Sequence, residues 1–427
     1  MIKILYCKNK NYKSKLNKLL TKRNRSLKIS GKIVKKIIKE IKLNGDSAVI
    51  KYEKKYNKNT EIKINKNKLL KSIQSLDPKI KKAIDFSYNR IFKFHSKQKI
   101  QNYSYKDKLN NKIDYKYINL DSVGIYIPGG NASFPSTLLM SGIPAKIAGV
   151  KRIVMVNPKL KGKLSPGVLY AAKKIGISEI YSIGGIQAIA SLAYGTKKIK
   201  KVNKIIGPGN IFVSTAKKEV FGDVGIDMIA GPSEITIVAD KFSNPEWIAA
   251  DLLAQAEHDL NSQCILISKD KKIIEMVKNF IFNQLKFLKR KDIAKKSLQL
   301  NGIFIHATTD KEILYTINTV APEHLELAVK KYRKLVTKVT NAGSICLGKY
   351  SAMAVTDYSA GSNHILPTNS SAKFSSGLSV YDFYKRISYI NLTKKGIESI
   401  GEQVINLANY EGLDGHAKSV ELRMRRK

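Results

Sequence analysis

The chain has 427 residues, 43% hydrophobic and 26% charged, a globular balance whose length a prior of about 150 residues per domain divides into two to four units. No apolar run approaches the roughly 18 residues of a membrane span, and the start, MIKILYCKNKNYKSK, lacks a signal-peptide core, so a cytoplasmic protein without membrane attachment is expected. The net charge of +44 invites a nucleic-acid reading, but the lysines are spread along the whole chain with abundant Asn, Ile and Tyr, as A/T-rich coding produces. No RNP motif, zinc finger or isolated basic tail accompanies them, and no specific nucleic-acid partner is expected.

Residues 1 to about 120 are lysine-rich and read mostly as helices. In GKIVKKIIKEIKLNGD, the residues Ile33, Val34, Ile37, Ile38 and Ile41 follow amphipathic helix spacing, and the pattern stops near Gly45. Beyond about residue 121 the texture changes. SVGIYIPGG, RIVMVNP, EIYSIGG, KIIGPGN, EITIVAD, QCILISKD and GIFIHA are short, β-branched runs, several ending in Gly or Pro. Helix-length stretches such as SPGVLYAAKKIG and IQAIASLAYG separate most of them, which predicts an α/β fold with parallel sheets and right-handed crossovers. Ligands in such sheets gather at the carboxyl ends of strands. Three strand ends carry glycine turns there: Gly129-Gly130, Gly184-Gly185 and Gly207-Pro208-Gly209. None is a complete GxGxxG, and each alone reads as a tight turn; together they could line one pocket.

NPEWIAADLLAQAEHD predicts a helix capped by Asn244, with Pro245 in its first turn. At its end Gln255 and His258 fall three residues apart, so an amide oxygen and an imidazole face one point, as a metal ion or polar ligand requires. A solvated glutamine beside a histidine that answers the helix dipole is the plainer alternative. The cysteines Cys7, Cys264 and Cys346 are odd in number and far apart, without a disulfide framework or a thiolate zinc motif. Cys264 in SQCILIS reads as a buried strand residue rather than a nucleophile. In VAPEHLELAV, Pro322 can open a helix whose first turn holds Glu323 and His324. An imidazole there would be kept neutral and able to accept a proton. AVTDYSAGSNHILPT sets Asp357 in a Gly/Ser-rich loop, and NYEGLDGHAKSVELR holds Glu411 and His416.

No single spacing is a known metal motif, but the set AQAEHD, APEHLEL, DYSAGSNHILPT, GPGN, AGPSE and EGLDGHAKSVELR resembles the histidinol dehydrogenase family, from roughly residue 28 to the end. The resemblance implies two Rossmann-like parallel-sheet domains of aldehyde-dehydrogenase type with helical N- and C-terminal extensions. It divides the chain into an extension at 1–22, a discontinuous first domain at 23–125 and 235–378, a second domain at 126–234 and a helical segment at 379–427. It also implies a homodimer with shared active sites, oxidising L-histidinol through L-histidinaldehyde to L-histidine with two NAD and one zinc per subunit.

By the same resemblance the zinc ligands match Gln255, His258, Asp357 and His416, and the catalytic pair matches Glu323 and His324. Substrate contacts match Ser233 and Glu411 besides these six, and cofactor contacts match Tyr126, Gln187 and Asn210. Three positions beside ligands depart from the family pattern: Thr356 where Gly is usual, Gly415 where Ala is usual, and Leu260 where Pro is usual. The competing expectations are another NAD-dependent alcohol or aldehyde dehydrogenase, with Cys264 or Cys346 as nucleophile, and a basic nucleic-acid-binding protein.

Overall fold

The computed structural model describes residues 2–26, 31–129, 133–159 and 162–424; Gly130 of the first glycine pair lies outside the described residues. In chain order the strands are β1 (Lys3–Tyr6), β2 (Tyr103–Lys106), β3 (Lys112–Asn119), β4 (Ser122–Tyr126), β5 (Arg152–Val156), β6 (Glu179–Tyr181) and β7 (Lys204–Ile206). They continue as β8 (Gly225–Ile226), β9 (Glu234–Ala239), β10 (Gln263–Ser268), β11 (Ile303–His306), β12 (His324–Leu327), β13 (Ser344–Leu347) and β14 (Tyr384–Asn391). All seven runs expected as strands are strands, and helices Pro166–Ile175 and Gly185–Tyr194 stand where two crossovers were expected.

The chain forms two compact units, Met1–Lys97 with Asp121–Asp382, and Gln98–Leu120 with Phe383–Lys427. The first contains two wholly parallel sheets, β6-β5-β4-β7-β8 and β1-β11-β10-β9-β12-β13. This is the α/β class that alternating strands and helices predict. The second contains an antiparallel sheet, β14-β3-β2, and the helices Lys394–Tyr410 and Asp414–Met424.

Residues up to about 120 are mostly helical, as expected, in Tyr12–Ser26, Gly31–Asn57, Lys66–Gln74 and Pro78–His95, with strands at both ends of that stretch. KILY, too short to show a period, is recruited as β1 beside β11. YSYK and KIDYKYIN alternate apolar with polar positions, a period-two pattern, and pair as β2 and β3. Gly45 (φ 51°, ψ −128°) breaks the helical backbone, yet the helix Gly31–Asn57 resumes because Ala48, Val49 and Tyr52 extend the buried stripe.

The six-stranded sheet is buried on both faces. On one, Ile235 and Ile237 of β9 and Leu266 of β10 pack against Ala249, Leu252 and Leu253 of the helix Pro245–Ala256. On the other, Val238, Ile267 and Leu325 meet Leu16, Ile313 and Ile317. Each fully buried Leu or Ile contributes about 1.5–3 kcal/mol, so these layers hold the strand ends still.

Candidate active site

The helix Pro245–Ala256 begins as its sequence requires: the Asn244 side chain accepts the amide hydrogens of Glu246 and Trp247, with Pro245 in the first turn. It ends at Ala256, and His258 follows in a turn whose backbone N–H donates to the Gln255 carbonyl at 3.2 Å. Gln255 is 1% exposed, and its Oε1 is buried without a hydrogen-bond partner. A buried carbonyl oxygen left unpaired is costly, which gives this atom a reason to meet a ligand. The solvated alternative for Gln255 is thereby overturned. Burial, with the nearby Arg290 charge, pushes His258 below its ordinary pKa.

Glu323 and His324 do not open a helix. His324 begins β12, between β9 and β13, because the backbone after Pro322 is taken up by a sheet: Gly343 N–H donates to Pro322 O, and Ser344 N–H to Glu323 O, each at 2.9 Å. Gly343 permits this approach, since a Cβ there would lie 2.6 Å from Glu323 O. His324 is still kept neutral, but by a different cause. Burial pushes it down to about 3, with the His364 and His258 charges adding to the effect. The Glu323 carboxylate accepts the Glu234 N–H at 2.8 Å, and Glu323 N–H donates back to the Glu234 carboxylate at 3.4 Å.

Asp357 sits in the short helix Met353–Tyr358 rather than in a loop, and Thr356 Oγ1 donates to Met353 O at 2.7 Å within it. Asp357 Oδ1 is 3.7 Å from His324 Nε2 and 3.8 Å from His364 Nδ1, while Glu323 Oε1 is 4.0 Å from His324 Nε2. Burial pushes the Asp357 carboxyl up to about 7. His364, within the DYSAGSNHILPT motif but given no role by the sequence, is missed by motif reading. Its Nδ1 donates to Asp357 O at 3.0 Å, so its Nε2 is left to accept from Thr137 Oγ1 at 3.1 Å. Glu234, in AGPSE, was missed in the same way.

Gln255, His258 and Asp357 therefore offer an orphaned amide oxygen, an imidazole held neutral and a buried carboxylate, a donor set that fits a borderline cation such as zinc. Among the described residues no three His, Cys, Asp or Glu side chains stand together as a metal cluster. Glu411 and His416 belong to the second unit, where both are exposed. Ser233 precedes β9, and its carbonyl accepts Gln263 N–H at 3.0 Å.

The residues expected at the cofactor gather at the carboxyl ends of the five-stranded sheet. Tyr126 ends β4 and its hydroxyl accepts Gly185 N–H at 3.2 Å; Asn210 caps the helix Ile211–Val220. Gln187 is 2% exposed, with Nε2 donating to Glu53 Oε1, which also accepts Gly184 N–H, both at 2.7 Å. Its amide is thus a brace of the glycine turn in this structure. Gly207 has φ 109°, and a Cβ would lie 2.2 Å from Tyr126 O, so only glycine lets these two strand ends meet. Both cysteines of the thiol reading are buried. Cys264 Sγ donates to Leu252 O at 3.3 Å, and burial pushes Cys346 up to about 12, far from a thiolate.

A sequence model of the histidinol dehydrogenase family matches residues 20–424. The chain is 64% identical over 428 residues to histidinol dehydrogenase of Pelagibacter ubique (strain HTCC1062), covering 100% of both. It is 46% identical over 399 residues to that of Bacillus subtilis (strain 168), covering 92% of this chain and 93% of the relative. The crystal structure of histidinol dehydrogenase from Elizabethkingia anophelis is similar with TM-score 0.92 and 36% identity, over 99% of this chain and 98% of that one.

Proposed function

The chain belongs to the histidinol dehydrogenase family, and from that premise we propose that it is a zinc-dependent cytoplasmic homodimer oxidising L-histidinol through L-histidinaldehyde to L-histidine with two NAD. The oxidation of histidinol in histidine biosynthesis is the family's activity. The observations that support the finer reading are the buried group of Glu323, His324 and Asp357 and the orphaned Gln255 oxygen.

His324, neutral because it is buried, takes the alcohol proton as the carbon gives up its hydride. Zinc, held by Gln255, His258, Asp357 and His416, would supply a cation that anchors the imidazole and amine of the substrate. NAD, against Tyr126, Gln187 and Asn210, would accept the hydride. The aldehyde must be hydrated before a second hydride can leave, and Glu323, oriented by the Glu234 N–H, activates that water. Ser233 and Glu411 complete the substrate contacts. The low exposure of Glu323 and His324 suits an aldehyde that has to be kept from side reactions between the steps.

Metal analysis of the purified protein, run with NADH formation from histidinol, tests the proposal. About one zinc per subunit and histidinol-dependent NADH are expected by the donor logic above; metal-free protein that stays inactive after zinc is restored would overturn it. Full activity after iodoacetamide is expected, since no thiol takes part.

A further inference from the structure

Behind the reacting groups lies a pair of acids with no part in the chemistry. Asp251 is one turn before Gln255 on the helix Pro245–Ala256, and Glu326 is two residues after His324 on β12. Residues two apart on a strand share a face. In register, His324 stands beside Ile235 and Glu326 beside Ile237, and those isoleucines pack on that helix. The carboxyl groups of Asp251 and Glu326 hydrogen-bond to each other. Glu326 Oε1 also accepts the N–H of Met353, the first residue of the short helix that carries Asp357, at 2.5 Å.

Two carboxyl groups in contact away from water hold one proton between them, because a second negative charge would be uncompensated. Burial pushes Asp251 up to about 6 and Glu326 well above its usual range. Of the groups around them, Cys346, opposite Glu326 on β13, is an undissociated thiol, and exposed Lys349 lines the adjoining cavity of about 10 Å³ with both acids. That volume has room for about one water.

We infer that Asp251 and Glu326 are positioning residues whose joined carboxyl groups set the spacing between the helix bearing Gln255 and His258, the strand bearing His324 and the short helix bearing Asp357. The inference deepens the reading of Gln255, His258 and Asp357 as zinc ligands and rests on it for its metal readout. Supports of this kind hold ligands in place without touching the metal, and their loss typically lowers metal affinity about 10- to 100-fold.

Three variants test it: Asp251→Asn, which keeps a hydrogen bond; Asp251→Leu; and the double variant Asp251→Leu with Glu326→Leu, which replaces the pair by apolar groups. A buried acid pair exchanged for packed apolar side chains often leaves stability unchanged or raised. The expected result separates stability from function. Asp251→Asn should keep zinc affinity and histidinol turnover within about threefold of the parent, whereas the double variant, melting at or above the parental temperature, should lose about 10- to 100-fold in zinc affinity. Amide hydrogen exchange on metal-free protein gives a readout independent of zinc: both Leu-bearing variants should speed exchange together in residues 245–258, 322–327 and 353–358. Parental zinc affinity and parental exchange in the double variant would overturn the inference, as would loss in Asp251→Asn equal to that in Asp251→Leu. A parent that binds no zinc but shows the coupled exchange would refute the zinc reading and leave the positioning role standing.

Discussion

His324 is neutral because it is buried, and among the described residues its acidic neighbours within 4.0 Å are Glu323 and Asp357. His324→Asn should therefore depress NADH formation from histidinol by about 10² to 10⁴, the usual effect of losing one positioned base. Glu323→Gln keeps shape and hydrogen bonding but removes the basic oxygen, so histidinaldehyde oxidation should suffer more than the first hydride step. Assays on the two substrates, with zinc measured in each variant, check this. If Glu323→Gln leaves histidinaldehyde oxidation within about threefold of the parent while histidinol oxidation collapses, the two roles are reversed. The residue types were legible in the sequence and their environment was not. APEH announces an acid beside a histidine, but a strand laid between β9 and β13 depends on partners about 90 and 20 residues away, which no local pattern encodes. His95, at the end of the helix Pro78–His95, is a further desolvated imidazole, pushed down to about 4, with neither ring nitrogen hydrogen-bonded. Its unfolded form takes up a proton near pH 6.5 that the folded form refuses, so stability is lost as pH falls from about 6.5 towards 4, by up to about 3 kcal/mol. His95→Leu removes that term. Its denaturation midpoint relative to the parent should improve progressively over that range, and a constant difference at every pH would exclude the titration.

Between elements, the turn from β7 to the helix Ile211–Val220 shows how a local signal becomes a fixed feature. GPGN reads as a turn, but what fixes it is an ion pair whose members lie 10 and 20 residues after Gly207. Lys217, 2% exposed, pairs with buried Asp227 and donates to Gly207 O at 3.0 Å, while Asp227 Oδ2 accepts Gly207 N–H at 2.7 Å. Removing one member leaves the other charge buried alone, so Lys217→Met should cost about 3–5 kcal/mol. Adding Asp227→Asn neutralises the stranded charge and should recover part of that loss in urea denaturation. Equal midpoints for the single and double variants would show that the charge is not what matters. At this scale the sequence is most readable. Short, mainly β-branched runs, several ending in Gly or Pro, marked seven strands, because strands buried on both faces need continuous apolar residues. β1 and β13 were missed for lack of such a run: KILY is four residues long, and SICL follows a polar stretch.

Across the whole molecule, the antiparallel unit joins residues 98–120 to 383–427, a pairing of β3 with β14 across some 270 residues that only the folded chain reveals. Its exposed Glu411 and His416 resemble the family's substrate and zinc contacts, whereas Gln255, His258 and Asp357 lie in the other unit. Exposed ligand-type residues, taken with the proposed homodimer, support the proposal that the segment from about 379 to 427 completes the partner's site across a two-fold interface. A mixed dimer of His258→Ala with His416→Ala would then contain one site with both ligands missing and one with both present. Each variant alone should be inactive. After random exchange of equal amounts, half the dimers are mixed and each has one intact site, so about a quarter of parental activity is expected. Exchange should be verified independently, for instance by mass-tagging one variant, and zinc should return to about one ion per mixed dimer. Mixed dimers that regain neither zinc nor NADH formation would assign each site to a single chain.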